Sequence, residues 1–102
     1  MHAPHFNVPT STIALPAAWS ELSEPAFAIW LRLMVVPWRE LLKGRGHLAR
    51  LLDMPPRTLD RRLRELRNKG YIRLVPNRNG LPTTLVITRR ATIVGPSAFV
   101  KL

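Results

Sequence analysis

Arg57, Arg61 and Arg64 stand four and three residues apart in the stretch PPRTLDRRLRELRNKG, with Asn68 four positions further on. At about 100° per residue of helix these four side chains project to one side. A guanidinium carries five N–H donors in a rigid fork that matches two phosphate oxygens, or the O6 and N7 edge of guanine. Three of them in a row offer forked recognition of a polyanion, the shape and chemistry of a helix that lies in a nucleic-acid groove. Such a row faces outward only if its reverse is anchored. Leu59, Leu63 and Leu66, at i, i+4 and i+7, supply that anchor as one narrow buried stripe on the opposite side.

The charge of the whole chain agrees with this reading. The 102 residues contain 16 Lys and Arg against 6 Asp and Glu, a formal net charge of +10. Residues 1 to 31 hold no Lys or Arg and two acids, Glu21 and Glu24, whereas residues 43 to 78 hold eleven basic and three acidic residues. The surplus therefore sits on the segment that carries the arginine row, as a polyanion-binding face requires. Thirteen of the basic residues are Arg, which favours forked contacts over diffuse attraction by ammonium groups.

Composition also excludes function classes. The length is that of one domain with a single modest core. With no cysteine there is no disulfide framework and no thiolate zinc site, and a reducing cytoplasm fits. MHAPHFNVP lacks the charged n-region and apolar run of a secretory leader. The longest apolar stretch, Ala26 to Trp38, contains Arg32, closes at Pro37 and is too short to span a bilayer, so no membrane partner is expected. Six acids and three histidines are scattered without a nucleophile and base, a carboxylate pair or a phosphate-cradling glycine loop, and no enzyme, catalytic residue or cofactor is expected. His2 and His5 lack a third ligand, and no metal site is expected from them.

The elements that must position the arginines read as follows. Residues 1 to 11, with Pro4 and Pro9, predict a flexible arm, and Thr12 to Leu15 a short edge strand ended by Pro16. Ser23 caps a first helix with Glu24 and Pro25 in its opening turn; Phe27, Trp30, Leu31, Met34 and Val35 mark its core side, and Pro37 stops it. That stripe reads as burial rather than as a base-stacking surface. Trp38 to Lys43 predicts a helical turn or structured loop, and His47 to Asp53 a short helix burying Leu48, Ala49, Leu51 and Leu52. Pro56 opens the arginine-bearing helix, which runs to about Lys69, and Gly70 gives it a left-handed stop. Glu65 and Lys69 read as an i, i+4 surface pair. Tyr71 to Val75 and Thr83 to Thr88 predict two strands joined around Asn79-Gly80, a hairpin with Arg78 at its tip. The residues from Ala91 to Leu102 carry no clear pattern.

This order of helix, short helix, turn, basic helix, strand, loop, strand, with the phrase LARLLDM..RTLDRRLRELRNKGYI, resembles the winged helix-turn-helix family of bacterial, phage and plasmid DNA-binding domains. Leu48-Ala49, Leu52, Thr58, Leu63, Leu66, Gly70 and Ile72 stand where the family shows the pattern LA..LG.S..T…L..L...G.I. Asp53 replaces the usual turn glycine and Pro55 the usual serine cap. The resemblance covers Leu48 to Thr88 well and Ser23 to Val36 loosely. It implies an α+β fold with three main helices, a β-hairpin wing and a short N-terminal edge strand, over residues 12 to 90, with residues 91 to 102 as a dimerisation or partner-docking extension.

The resemblance further implies that Pro56 to Lys69 is a recognition helix whose N-terminal half meets base edges in the major groove. Arg57 and Arg61 then read guanine, and Asp60 accepts from a cytosine amine or simply holds Arg64 or Arg57. Thr58 contacts phosphate or caps the helix. Arg62, Arg64 and Arg67 contact phosphate, Arg45, His47 and Arg50 clamp the backbone from the shorter helix, and Asn77, Arg78 and Asn79 reach an adjacent groove from the wing. The implied partner is double-stranded DNA, bound by a cytoplasmic homodimer acting as a transcriptional regulator, a repressor. Two alternatives stand beside it: a replication-initiation or plasmid or phage maintenance factor, and a protein-interaction module docking on a polymerase or other partner through the wing and C-terminal segment.

Overall fold

The computed structural model describes residues 10–76 and 84–92. The fold is mixed α+β. Strand β1 (Ser11–Ile13) leads into α1 (Leu15–Glu21), α2 (Glu24–Val35), α3 (Trp38–Leu41), α4 (Arg45–Leu51) and α5 (Pro56–Asn68), followed by β2 (Ile72–Val75), β3 (Thr84–Ile87) and β4 (Arg89–Ala91). Strands β2 and β3 pair antiparallel, with Ile72 opposite Ile87 and Val75 opposite Thr84. Strand β1 pairs parallel with β4, Ser11 opposite Arg89 and Ile13 opposite Ala91. The helical order followed by an antiparallel strand pair is compatible with a small winged helix. The predicted hairpin tip at Asn77, Arg78 and Asn79, most of the N-terminal arm and most of the C-terminal extension lie outside the described residues.

Local chemistry explains most boundaries. The Ser23 hydroxyl accepts from the Ala26 N–H as the α2 cap, Pro25 takes a first-turn position, and the helix ends at Val36 before Pro37. Helix α4 begins two residues earlier than its leucines suggest, after Gly44 at φ 93°. Its end and that of α5 close in the same way. At α5, the Gly70 N–H donates to Arg67 and the Tyr71 N–H to Leu66, with Gly70 at φ 82°. At α4, the Asp53 N–H donates to Arg50 and the Met54 N–H to Ala49, with Asp53 at φ 54°. Both are Schellman closures, and the second makes the turn between α4 and α5 with an aspartate in the left-handed position that glycine usually fills.

One core joins all layers: Ala26, Ile29, Trp30 and Leu33 from α2, Leu48, Ala49 and Leu52 from the α4 turn, Leu59, Leu63 and Leu66 from α5, and Tyr71, Ile72, Leu85 and Ile87 from the strands. Trp30 and Tyr71 meet edge to face with ring centroids 5.2 Å apart, and the Trp30 indole N–H donates to the Arg89 carbonyl at 2.7 Å. No helix among the described residues is long and apolar enough to cross a membrane.

Four expectations need correction. A helix, α1, occupies Leu15–Glu21, because Pro16 sits in its first turn instead of ending a strand there. The core face of α2 is rotated by about one residue: Trp30 is buried and Phe27 and Met34 are half-buried, but Leu31 and Val35 face outward and Ala26, Ile29 and Leu33 take the interior. Leu51 is exposed rather than buried. The strand predicted to close at Thr88 is followed directly by β4 beside β1, where no further element was expected before the unpatterned tail from Ala91.

Candidate nucleic-acid interface

Helix α5 divides its surface into a crest and two flanks. Leu59, Leu63 and Leu66 are buried as the spacing requires, and Arg57, Arg61, Arg64 and Asn68 are exposed on the opposite side. Among the described residues none of Arg57, Arg61, Arg64 and Arg67 has an ion-pair partner. The crest is therefore a line of free guanidiniums on a rigid support.

One flank ties α5 to α2. Glu65 accepts from both the Ser23 backbone N–H and the Ser23 hydroxyl, each at 2.7 Å, and Lys69 donates to the Glu21 carbonyl. Glu65 and Lys69 are thus not a simple surface pair: Glu65 holds the start of α2 and Lys69 the end of α1. Partial burial on its own raises the Glu65 carboxyl, but the two Ser23 hydrogen bonds and the nearby charges of Lys69 and Arg62 outweigh it and leave its pKa below the ordinary carboxylate value. Arg62 belongs to this flank. It is half-buried, its Nε is shielded from solvent without a hydrogen-bond partner among the described residues, and its charge acts on Glu65. The structure does not bring Arg62 to the crest as a free phosphate contact.

The other flank forms a shallow cleft of about 110 Å³ lined by Arg45, Asp60, Leu63, Arg64, Arg67 and Leu74. Arg45 reaches across from α4, and its Nη1 donates to Asp60 Oδ1 at 3.1 Å. Asp60 thus holds neither Arg57 nor Arg64 but the first residue of the neighbouring helix. Its one negative charge lies among three guanidiniums, so the cleft remains net positive. The apolar floor of Leu63 and Leu74 had no signal in the sequence beyond ordinary helix and strand patterning.

The remaining expected contacts separate. Arg50 is exposed on α4. His47 is half-buried and its Nε2 lies 2.7 Å from Glu40 Oε1 on α3, which also pairs with Lys43 at 3.1 Å. The hydrogen bond from His47, followed by that from Lys43, holds the Glu40 carboxyl below its usual range. His47 thus fastens α3 to α4 instead of standing free as a backbone clamp. Thr58 does not cap α5, because Pro55 occupies the cap position and no side chain caps the helix. No group of three or more His, Asp or Glu among the described residues is placed to hold a metal ion. Comparison with protein families, with curated proteins and with solved structures gives no match to this chain.

Proposed function

We propose that the chain binds double-stranded DNA in a sequence-specific manner, with α5 in the major groove, and serves as a small transcriptional repressor in the cytoplasm. The observation that carries the reading is the row of unpaired, exposed Arg57, Arg61 and Arg64, backed by buried leucines on one helix. Asp60 pairs with Arg45, and Glu40 with Lys43 and His47, so neither acid neutralises the crest.

In this reading Arg57 and Arg61, on the N-terminal half of α5, meet guanine O6 and N7. Asp60 orients Arg45, and a carboxylate oxygen so engaged accepts from a cytosine amine only by sharing. Arg64, Arg67, Arg45 and Arg50 meet phosphates, and the cleft beside β2 receives a backbone phosphate as the strand passes from α5 toward the wing. Because no side chain caps α5, the amides of its first turn, near Thr58, are open to a further phosphate. Phosphate contacts supply most of the affinity and base contacts the choice of sequence. Binding needs no catalytic group and no cofactor.

Selection of bound duplexes from a random pool tests the proposal, followed by gel shifts of Arg57→Ala and Arg61→Ala. Each substitution is expected to cost about 1 to 3 kcal/mol on the selected site and to relax preference at one base position. Equal losses on selected and random duplexes remove the base-reading roles; no shifted duplex at low salt removes DNA binding altogether. A replication-initiation role is the second reading, favoured by the strand and proline that lead into α1 and α2. It uses the same surface and is told apart by whether the bound sites lie at promoters or at an origin.

A further inference from the structure

Helix α2 carries only two charged residues, Glu24 in its first turn and Arg32, among ten others that are almost all apolar. A helix apolar on all sides is normally covered on all sides. One side of α2 is covered here: Ala26, Ile29, Trp30 and Leu33 are buried, α5 packs against the helix, and the Trp30 indole reaches Arg89 of β4. The other is not: Leu31 is 36% and Val35 81% exposed. Phe27, one turn before Leu31, is half-buried and continues the stripe, with Trp19 of α1 set edge-on against it at 5.1 Å between centroids while remaining 54% exposed. Trp19, Phe27, Leu31 and Val35 thus form an apolar strip along two helices. Contiguous apolar patches of this kind mark interaction sites.

We infer that this strip is the contact surface for a second copy of the same chain. A chain of net charge +10 associates with itself only through a surface that keeps its cations apart. The region of α1 and α2 meets that condition: residues 1 to 31 contain no Lys or Arg, and Arg32 is turned aside to donate to the Leu52 carbonyl at 3.0 Å. A strip along one helix is self-complementary about a twofold axis. Antiparallel crossing of two α2 helices lays Phe27, Leu31 and Val35 of one copy along the same residues of the other. The crest of α5 points away from α2, so both copies keep their guanidinium rows exposed. The inference does not depend on what the crest binds.

Sedimentation equilibrium on the full chain without nucleic acid tests it. A mass approaching twice 11.6 kDa with rising protein concentration is expected. Val35→Glu, at the most exposed position of the strip, is expected to weaken dimerisation at least tenfold while leaving the circular dichroism spectrum and melting temperature of the monomer unchanged. Trp19→Ser serves as the second variant on the other helix, with the same expected outcome. A monomeric mass at every concentration overturns the inference, whether the strip then proves bare, covered by residues 93–102 or reserved for another protein. A dimer whose affinity is unmoved by either substitution overturns it equally. Because no duplex enters the measurement, its failure leaves the DNA-binding proposal standing, and failure of the latter leaves this one standing.

Discussion

Glu65 joins two helices through partners forty-two positions apart in sequence, accepting both hydrogens that Ser23 offers. Its carboxyl titrates below the ordinary carboxylate value in the folded protein, a value it regains in the unfolded chain. The stability it contributes is therefore present above that ordinary value and is lost as pH falls through the lower folded-state value. Glu65→Gln is expected to lower stability at neutral pH by about 1 to 2 kcal/mol, with the gap to wild type closing as the solution is acidified below about pH 4. Thermal melts from pH 7 to pH 3 check this, and parallel curves for the two proteins contradict it. Asp60 makes a separate prediction. Its carboxylate holds Arg45 and offsets charge in the cleft, so Asp60→Ala is expected to raise affinity for random duplex at low salt, measured by fluorescence anisotropy; a uniform loss points to positioning of Arg45 as its main contribution. Neither role was legible from neighbours in sequence, because Lys69 stood at the right spacing for Glu65 and Arg64 for Asp60, while the actual partners come from other helices.

The turn between α4 and α5 fixes the angle at which the arginine row is presented, and it depends on Asp53 at φ 54°. A residue with a Cβ pays about 1 kcal/mol or more in that region, and aspartate tolerates it better than most. Asp53→Gly is expected to leave stability unchanged or raise it by up to about 1 kcal/mol, and Asp53→Val to lower it by about 1 to 2 kcal/mol. Denaturant midpoints at constant slope decide between these and a neutral result for both. Helix α5 was legible because its apolar and charged positions separate cleanly at helical spacing; α4 was legible as a helix from Leu48, Ala49 and Leu52, but the same pattern wrongly put Leu51 inside. Helix α1 was not: of its own seven residues only Ala18 is buried, too few to show a period, and Pro16 reads equally as a strand end or a helix start. The phase of α2 was ambiguous for the opposite reason, since apolar residues surround it and any face matches the pattern.

Across the whole molecule, charge and apolar surface are separated, with the unpaired arginines on one side and the bare strip of α2 on another. If six or so of the exposed cations meet phosphates, duplex affinity is expected to fall with a log–log salt slope of about −5. Titrations between about 50 and 200 mM salt measure it; a slope near −1 is incompatible with a backbone-clamped helix. Arg64→Ala or Arg67→Ala is expected to reduce that slope by about 1 while leaving base preference intact. The α+β class and the antiparallel pair were legible from the change of period after Gly70, but the parallel β1–β4 pair was not, because three residues on each side, one of them RRA, carry no alternation. That pair has a consequence for how the chain is born. During synthesis residue 11 leaves the ribosome long before residue 89, its partner, has been added. All five helices precede it in the chain, so β1 has no strand to pair with until β4 is made and brings the Arg89 carbonyl to the Trp30 indole. With Trp19 and Trp38 replaced by phenylalanine, the emission of Trp30 is thus placed to report the docking of β4, and a nascent chain halted before Arg89 is left with an edge on which aggregation can begin.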